Sequence, residues 1–310
     1  YRGQIVDEPE YEGWAGAGWA IGCTDPVAIS WLNTQVDRAC VDVNEFGWLV
    51  GWVMECQEKG YLTRDQLGGL QVPWGDAEAA AKLLQMISRR QGFGDILAEG
   101  VKRASETVGG PAAACAIYTG KGASPRGHDH RARWEEMLDT ITSSTGTLQT
   151  GPPVYPTEFG MPARINPFDP EAVARNVGGH LGRRHFEDSL GACIFTTRSL
   201  LANMCRALSA ATGWEFTKEE ALRQGRRTAA LFRAFDLRCG IGPDLEWPST
   251  RYGSIPVDGP AQGRAVQPHW ERMLDVWYET VGYDRTTGRP RPDTLRALGL
   301  EVLIPPLWGT

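Results

Sequence analysis

No two of the seven cysteines form a C-x-x-C pair; they stand apart at positions 23, 40, 56, 115, 193, 205 and 239. That spacing excludes a zinc or iron–sulfur site built within one short segment. The odd count suits a reducing compartment better than a disulfide framework. No apolar run reaches the roughly 18 residues that a membrane span requires, and no secretory leader opens the chain. The expectation is a soluble, cytoplasmic protein without a membrane span. Basic runs are missing too: 32 Lys and Arg face 38 Asp and Glu, a net charge of −6. A nucleic-acid surface is therefore not expected.

Strand-like alternation is scarce, and helix signals dominate. Asp76 is a good N-cap for Ala77 to Arg90, where Ala80, Leu83, Leu84 and Ile87 form an apolar face. Gly92 and Gly94 end that helix, and Asp95 is expected to cap the next, which stops at Gly109-Gly110-Pro111. Thr217-Lys218-Glu219-Glu220 is a capping box opening a helix to about Phe235. Gln267 to Val281 reads as a further amphipathic helix carrying Trp270, Met273, Leu274 and Trp277. Turn-rich stretches cover 120–131, 151–170 and 240–268, the last resembling a long surface loop. The expected fold is mainly α, as two helical domains over 1–120 and 121–310, a length sufficient to bury two cores. Twelve tryptophans supply packing volume and the makings of an aromatic pocket.

Two six-residue segments carry most of the functional information: Asp37-Arg38-Ala39-Cys40-Val41-Asp42 and Asp188-Ser189-Leu190-Gly191-Ala192-Cys193. Both read Asp-x-x-small-aliphatic-(Asp/Cys), about 150 residues apart. A short carboxylate can accept paired N–H bonds from a heterocycle, and small residues let the backbone approach it. Two such grips suggest a large ligand with two similar ends. Taken singly, each aspartate would more often be a helix cap or turn residue.

The pair resembles the two pterin-binding signatures of the tungsten-containing aldehyde:ferredoxin oxidoreductase family. The likeness extends over nearly the whole chain. It includes Pro9-Glu10-Tyr11-Glu12, Met54-Glu55 through Glu58-Lys59-Gly60, Gly94 through Ala104, Lys121-Gly122, Gly225-Arg226-Arg227 to Phe235-Asp236, and Tyr278 to Leu300. The resemblance implies a tungsten bis-pyranopterin (tungstopterin), with molybdenum as the other candidate metal, beside a [4Fe-4S] cluster. Asp37, Asp42 and Asp188 would accept hydrogen bonds from the pterins, with Gly191 and Ala192 lying against the cofactor. Cys193 would be the fourth cluster ligand. Against the family pattern the chain lacks an N-terminal β-rich domain and the cysteine run that supplies the other three ligands, so it is expected to be the C-terminal part of a longer polypeptide.

Two departures from that pattern bear on the reaction. Cys40 stands where the family has glycine; it could simply fill space, or its thiolate could be an extra soft ligand to tungsten. The latter resembles the catalytic subunit of tungsten-dependent benzoyl-CoA reductases. Gln149 aligns with a family histidine near the metal, and glutamine cannot shuttle protons near neutral pH. Glu12 is placed as a carboxylate able to move protons, with Glu10 the weaker choice. His128 and His130, in Pro125 to Arg131, form the only His/Asp cluster, either a turn or a proton supply. His180 and His185 would support the second signature, and Arg183 and Arg184 would meet anionic phosphates or an acyl-CoA.

The expected function is a low-potential oxidoreductase that reduces an aromatic acyl-CoA. The alternatives are oxidation of aldehydes to carboxylic acids with ferredoxin as acceptor, and a non-catalytic structural subunit. Expected partners are ferredoxin or an iron–sulfur electron-transfer subunit, an aldehyde or acyl-CoA substrate, and further copies or chains in an oligomer.

Overall fold

The computed structural model describes residues 3–6, 8–146, 165–197 and 200–309. The fold is mainly α, as expected, and the strand-like pairing among the described residues amounts to two isolated bridges, Thr119 with Pro248 and Tyr283 with Pro290. No described helix is long and apolar enough to cross a membrane. The chain divides into two compact units. One comprises Tyr1–Asp129 with Trp247–Gly253, the other His130–Glu246 with Ser254–Thr310.

The first unit contains α1 (Tyr11–Gly16), α2 (Pro26–Arg38), α3 (Val43–Glu58), α4 (Ala77–Ser88), α5 (Phe93–Leu97), α6 (Gly100–Val108) and α7 (Gly110–Ala113). Aspartate caps set the starts of three of them. Asp25 caps α2 through the Val27 N–H, with Pro26 at the first helical position, and Asp42 and Asp76 do the same for α3 and α4. Leu32 and Val36 of α2, Phe46, Leu49, Val50 and Val53 of α3, and Leu83, Leu84 and Ile87 of α4 meet in one core. The expected helix capped by Asp95 is instead two helices. Asp95 lies inside α5, whose N-cap is Gly92, and Gly100, with φ +86°, begins α6 separately. The Val101 N–H donates to Glu45 at 2.6 Å, so the cap of α6 comes from α3 rather than from its own neighbours.

The stretch 240–268 is anchored rather than a free surface loop. Ser249 donates to the Ala116 carbonyl and its own N–H donates to Tyr118 O, while Gly120 N–H donates to Trp247 O. Ser249 and Tyr252 are buried. Chain separated by well over a hundred residues supplies these partners, which is why local turn chemistry alone reads as exposed loop.

The second unit contains α8 (Trp134–Thr142), α9 (Pro170–Gly179), α10 (Arg183–Ser189), α11 (Ile194–Thr197), α12 (Leu201–Thr212), α13 (Lys218–Arg238), α14 (Trp270–Val281), α15 (Pro292–Ala297) and α16 (Ile304–Trp308). The capping box at Thr217 forms reciprocally with Glu220, and α13 runs on to Arg238. A short 3-10 turn over Gln267–His269 precedes α14. Arg226 donates to the Gly179 and Leu181 carbonyls at the end of α9, at 2.8 and 3.2 Å. Gly225 brings α13 against the start of α10: a Cβ there would lie 1.7 Å from Gly182 O. A single methyl at residue 225 would push the two helices apart.

The centre of this unit is ionic. Arg233 on α13 pairs with Glu246 at 2.6 Å, with both side chains almost wholly buried. Tyr278 of α14 donates to the second Glu246 oxygen at 2.7 Å, and Arg233 also reaches Tyr278 Oη and the Gly288 carbonyl. Burial, then the Glu246 charge, pushes the Tyr278 phenol far above its ordinary value, so it is a neutral donor. Removing one partner of such a pair strands the other charge in a dry site, at a cost of roughly 3–5 kcal/mol. Arg233→Met is therefore expected to lower the unfolding free energy by about 3–5 kcal/mol in urea titrations. A loss under about 1 kcal/mol would show that the pair is dispensable.

Candidate functional site

The two signatures adopt one backbone design. In the first, α2 ends at Arg38, Ala39 is the C-cap and Cys40 follows at φ +54°. Cys40 N–H donates to Asp37 O and Val41 N–H to Val36 O, at 3.0 and 3.3 Å, the bonding pattern of a Schellman cap. Two residues further on, Asp42 caps α3, its carboxylate accepting the Glu45 N–H at 2.8 Å. In the second, α10 ends at Ser189, Leu190 is the C-cap and Gly191 follows at φ +64°, its N–H donating to Asp188 O at 3.1 Å. Cys193 then occupies the entry to α11, where its carbonyl accepts from Thr196 and Thr197. Each segment is a helix end, a left-handed residue and the start of a new helix, in identical register.

This register places Asp37 and Asp188 in the last turn of a helix, at the negative end of its dipole. A carboxylate there is disfavoured by about 0.3–1 kcal/mol. Each is held by the residue four positions earlier: Asn33 Nδ2 donates to Asp37 Oδ2 at 3.0 Å, and Arg184 pairs with Asp188 Oδ1 at 2.9 Å. Asn33 was not singled out from sequence, although the i, i+4 spacing was available as a signal. Arg184 is thereby committed to Asp188, and Arg183 is buried.

Asp37, Cys40, Asp42, Asp188, Gly191 and Cys193 are exposed on their units, and Ala192 is half-buried. The three carboxylates each spend one oxygen on a local donor. That leaves an outward-facing acceptor suited to the N–H edge of a heterocycle. Cys193 is a free thiol, so it can act as a cluster ligand. Taken by itself, each signature offers carboxylate oxygen suited to the N–H edge of a pterin, and the second adds one thiol of the kind a cluster needs. Asp42 is also an ordinary helix cap, so both readings of that residue hold.

The first unit gathers further groups around its signature. Gly16 of α1 meets the chain just after Asp42, where a Cβ would fall 2.2 Å from Val43 O, and Gly13 abuts the Asn33 amide. Helix α1 is thus seated on the hinge. Glu10 is the N-cap of α1, accepting the Glu12 N–H. Glu12 is half-buried and accepts the Gly127 N–H at 2.7 Å. The His128 ring packs edge-on against Tyr11 at 5.2 Å, and Trp48 donates to Pro125 O at 2.7 Å. The structure therefore brings Glu12 and the His128 turn together, across more than a hundred residues of sequence.

Glu45 of α3, which sequence reasoning does not single out, has its pKa raised by burial and only partly lowered again by hydrogen bonds from Ser124 and Val101. His130 belongs to the second unit, buried 3.3 Å from Glu136. His180 Nδ1 donates to Asn176 O at 2.8 Å, and His185 is buried against Phe232. Gln149 lies outside the described residues.

The family model "Aldehyde ferredoxin oxidoreductase, domains 2 & 3" matches residues 1–300. An aliphatic sulfonate oxidoreductase, WOR-like subunit, of Pyrococcus furiosus is 31% identical, over 97% of this chain and 47% of that protein. A tungsten-containing aldehyde ferredoxin oxidoreductase of the same organism is 29% identical, over 95% and 49%. The chain thus spans about half the length of the curated relatives it matches. Among solved structures, the active site complex BamBC of benzoyl coenzyme A reductase with 1,5-dienoyl-CoA matches with a TM-score of 0.73. Its identity is 20%, over 94% of this chain and 49% of that one, a likeness of fold.

Two predictions follow from the hinge geometry. A side chain in the left-handed region costs about 1–2 kcal/mol relative to glycine, so Cys40→Gly should raise the urea unfolding free energy by about 1 kcal/mol; a decrease would mean that the thiol makes a compensating contact. His180 and His185 have their pKa values depressed from 6.5, both mainly by burial. Their contribution to stability is present above about pH 6.5 and is lost as pH falls through the depressed folded values. His185→Phe should flatten that acid limb, read as urea midpoints at about pH 7.5 and about pH 5.5; an unchanged slope would exclude His185 as its source.

Proposed function

This chain belongs to the aldehyde ferredoxin oxidoreductase family, and on that premise we propose that it supplies the pterin-holding and cluster-closing residues of a tungstopterin, [4Fe-4S]-dependent oxidoreductase. The observation that carries the reading is the repeated hinge: two carboxylates held at disfavoured helix ends, each followed by a left-handed residue and a helix start. The bound metal and cluster would supply low-potential electron transfer, and the chain supplies position, hydrogen bonds and protons. Asp37, Asp42 and Asp188 accept from the pterin edges. Gly191 and Ala192 let the backbone lie close to one pterin, and Cys193 ligates the cluster that three cysteines of another segment or chain complete.

Within that class, Cys40 favours reduction of an aromatic acyl-CoA. It keeps the left-handed backbone of a glycine position while presenting an exposed thiol. A thiolate ligand to tungsten would fill a position that oxygen-atom transfer to an aldehyde needs open. Oxidation of aldehydes, with ferredoxin as acceptor, is the second reading. The observation in its favour is Glu12, a carboxylate seated on the first hinge by α1. Such a group would take up the proton released in that oxidation. An iron–sulfur electron-transfer protein is the expected partner in both.

The test is elemental analysis of the native assembly, with its polypeptides identified and both acyl-CoA reduction and aldehyde oxidation assayed. Stoichiometric tungsten with about four or more irons per chain, and acyl-CoA turnover, is the expected result. Aldehyde oxidation alone would select the second reading, and a metal-free native assembly would reduce the chain to a structural subunit.

A further inference from the structure

The run from Met54 to Gly60 is not used by the proposed cofactor site, yet it contains a second piece of sulfur chemistry in the first unit. Cys56 on α3 is fully buried, and Cys115, two residues beyond α7, is 8% exposed. The two thiols approach the same short helix, α7, from α3 and from the chain just beyond it. Both lie over the carbonyls of α7, with Cys56 Sγ 4.0 Å from Ala112 O and Cys115 Sγ 3.6 Å from Pro111 O. Lys59, one turn after Cys56, brings its ammonium to 3.9 Å from Cys115 Sγ. That ammonium also pairs with Glu55 at 2.5 Å, and Arg251 pairs with the same carboxylate. Sequence spacing does not reveal the pair, because the two cysteines are far apart in the chain and lack any C-x-x-C pattern.

We propose that Cys56 and Cys115 are a redox-active thiol pair, converted to an α3–α7 disulfide by a peroxide oxidant. Cys115 is the more exposed of the two, with the Lys59 ammonium 3.9 Å from its sulfur, and reacts first as its thiolate. Its sulfur attacks a peroxide oxygen, the O–O bond breaks, and the thiolate, peroxide and one proton become a sulfenic acid and water. The Cys56 thiol then attacks that sulfenic sulfur; its proton leaves with the hydroxide as a second water, and the S–S bond forms. Two thiols are oxidised and one peroxide is reduced. Burial pushes the Cys56 thiol up to about 12, with the neighbouring Cys115 adding to the shift. Cys56 therefore rests as a thiol, and its attack on the sulfenic sulfur requires its proton to leave in the same step. The role is independent of the cofactor and requires neither tungsten nor a cluster.

The experiment treats the native assembly, prepared under anaerobic conditions, with hydrogen peroxide, and maps its peptides by mass spectrometry without reduction. The expected result is a peptide containing Cys56 joined to one containing Cys115, about 2 Da lighter than the sum of the two reduced peptides. Dithiothreitol should reverse it, with about two thiols per chain lost and then regained. In Cys56→Ala, Cys115 should progress to sulfinic acid, gaining about 32 Da instead of forming a link. The proposal is overturned if peroxide leaves both wild-type thiols free, oxidises them singly, or joins either to another cysteine. The wild-type map decides the matter even if the variant does not fold.

Discussion

A carboxylate in the last turn of a helix faces the negative end of the helix dipole, and this chain keeps one there in each unit. Asp37 and Asp188 stay in place because a donor four residues earlier holds each one, and because the next residues turn sharply away through a left-handed position. The turn has two effects at once. It satisfies the helix-end carbonyls, and it aims the carboxylate, the left-handed backbone and the following cap residue outward together. The features assigned to cofactor binding depend on that arrangement, since a longer or straighter connection would separate the aspartate from Asp42 or Cys193.

The packing behind the hinges depends on close backbone contact. In the first unit, Gly16 allows α1 to touch the chain at Val43, which carries Glu12 to the same corner as Asp42. In the second, Gly225 allows α13 to touch Gly182 at the start of α10. The family-like segment Gly225-Arg226-Arg227 has a physical reading here. The glycine removes bulk, Arg226 takes the α9 carbonyls, and Arg227 takes those of Leu298 and Gly299. The buried Arg233–Glu246–Tyr278 group sits further along the same helix, so α13 organises its unit by charge as well as by shape.

Much of the local structure was legible from residue types. Asp76 and the Thr217 box mark helix starts where the structure has them, because a cap needs only the residues beside it. Asp95 misled for the same reason: its chemistry suits a cap, but Glu45 from another helix supplies that function for α6 and leaves Asp95 inside α5. The 240–268 stretch misled as well, since its partners at residues 116–120 lie far upstream.

By itself the sequence determined the helical class, the caps, the two signature segments and the family they belong to, because each is written in neighbouring residues or in a pattern spread along the whole chain. Only the tertiary structure decided that the signatures share one hinge, that Asn33 and Arg184 hold the aspartates, and that Cys40 carries a left-handed backbone. It alone paired Glu12 with Gly127 and brought Cys56 and Cys115 to neighbouring carbonyls of α7. The physical reason is range. Propensity and capping act over three or four residues, whereas hydrogen bonds and thiol contacts between distant segments exist only once burial of the apolar helix faces has brought those segments together.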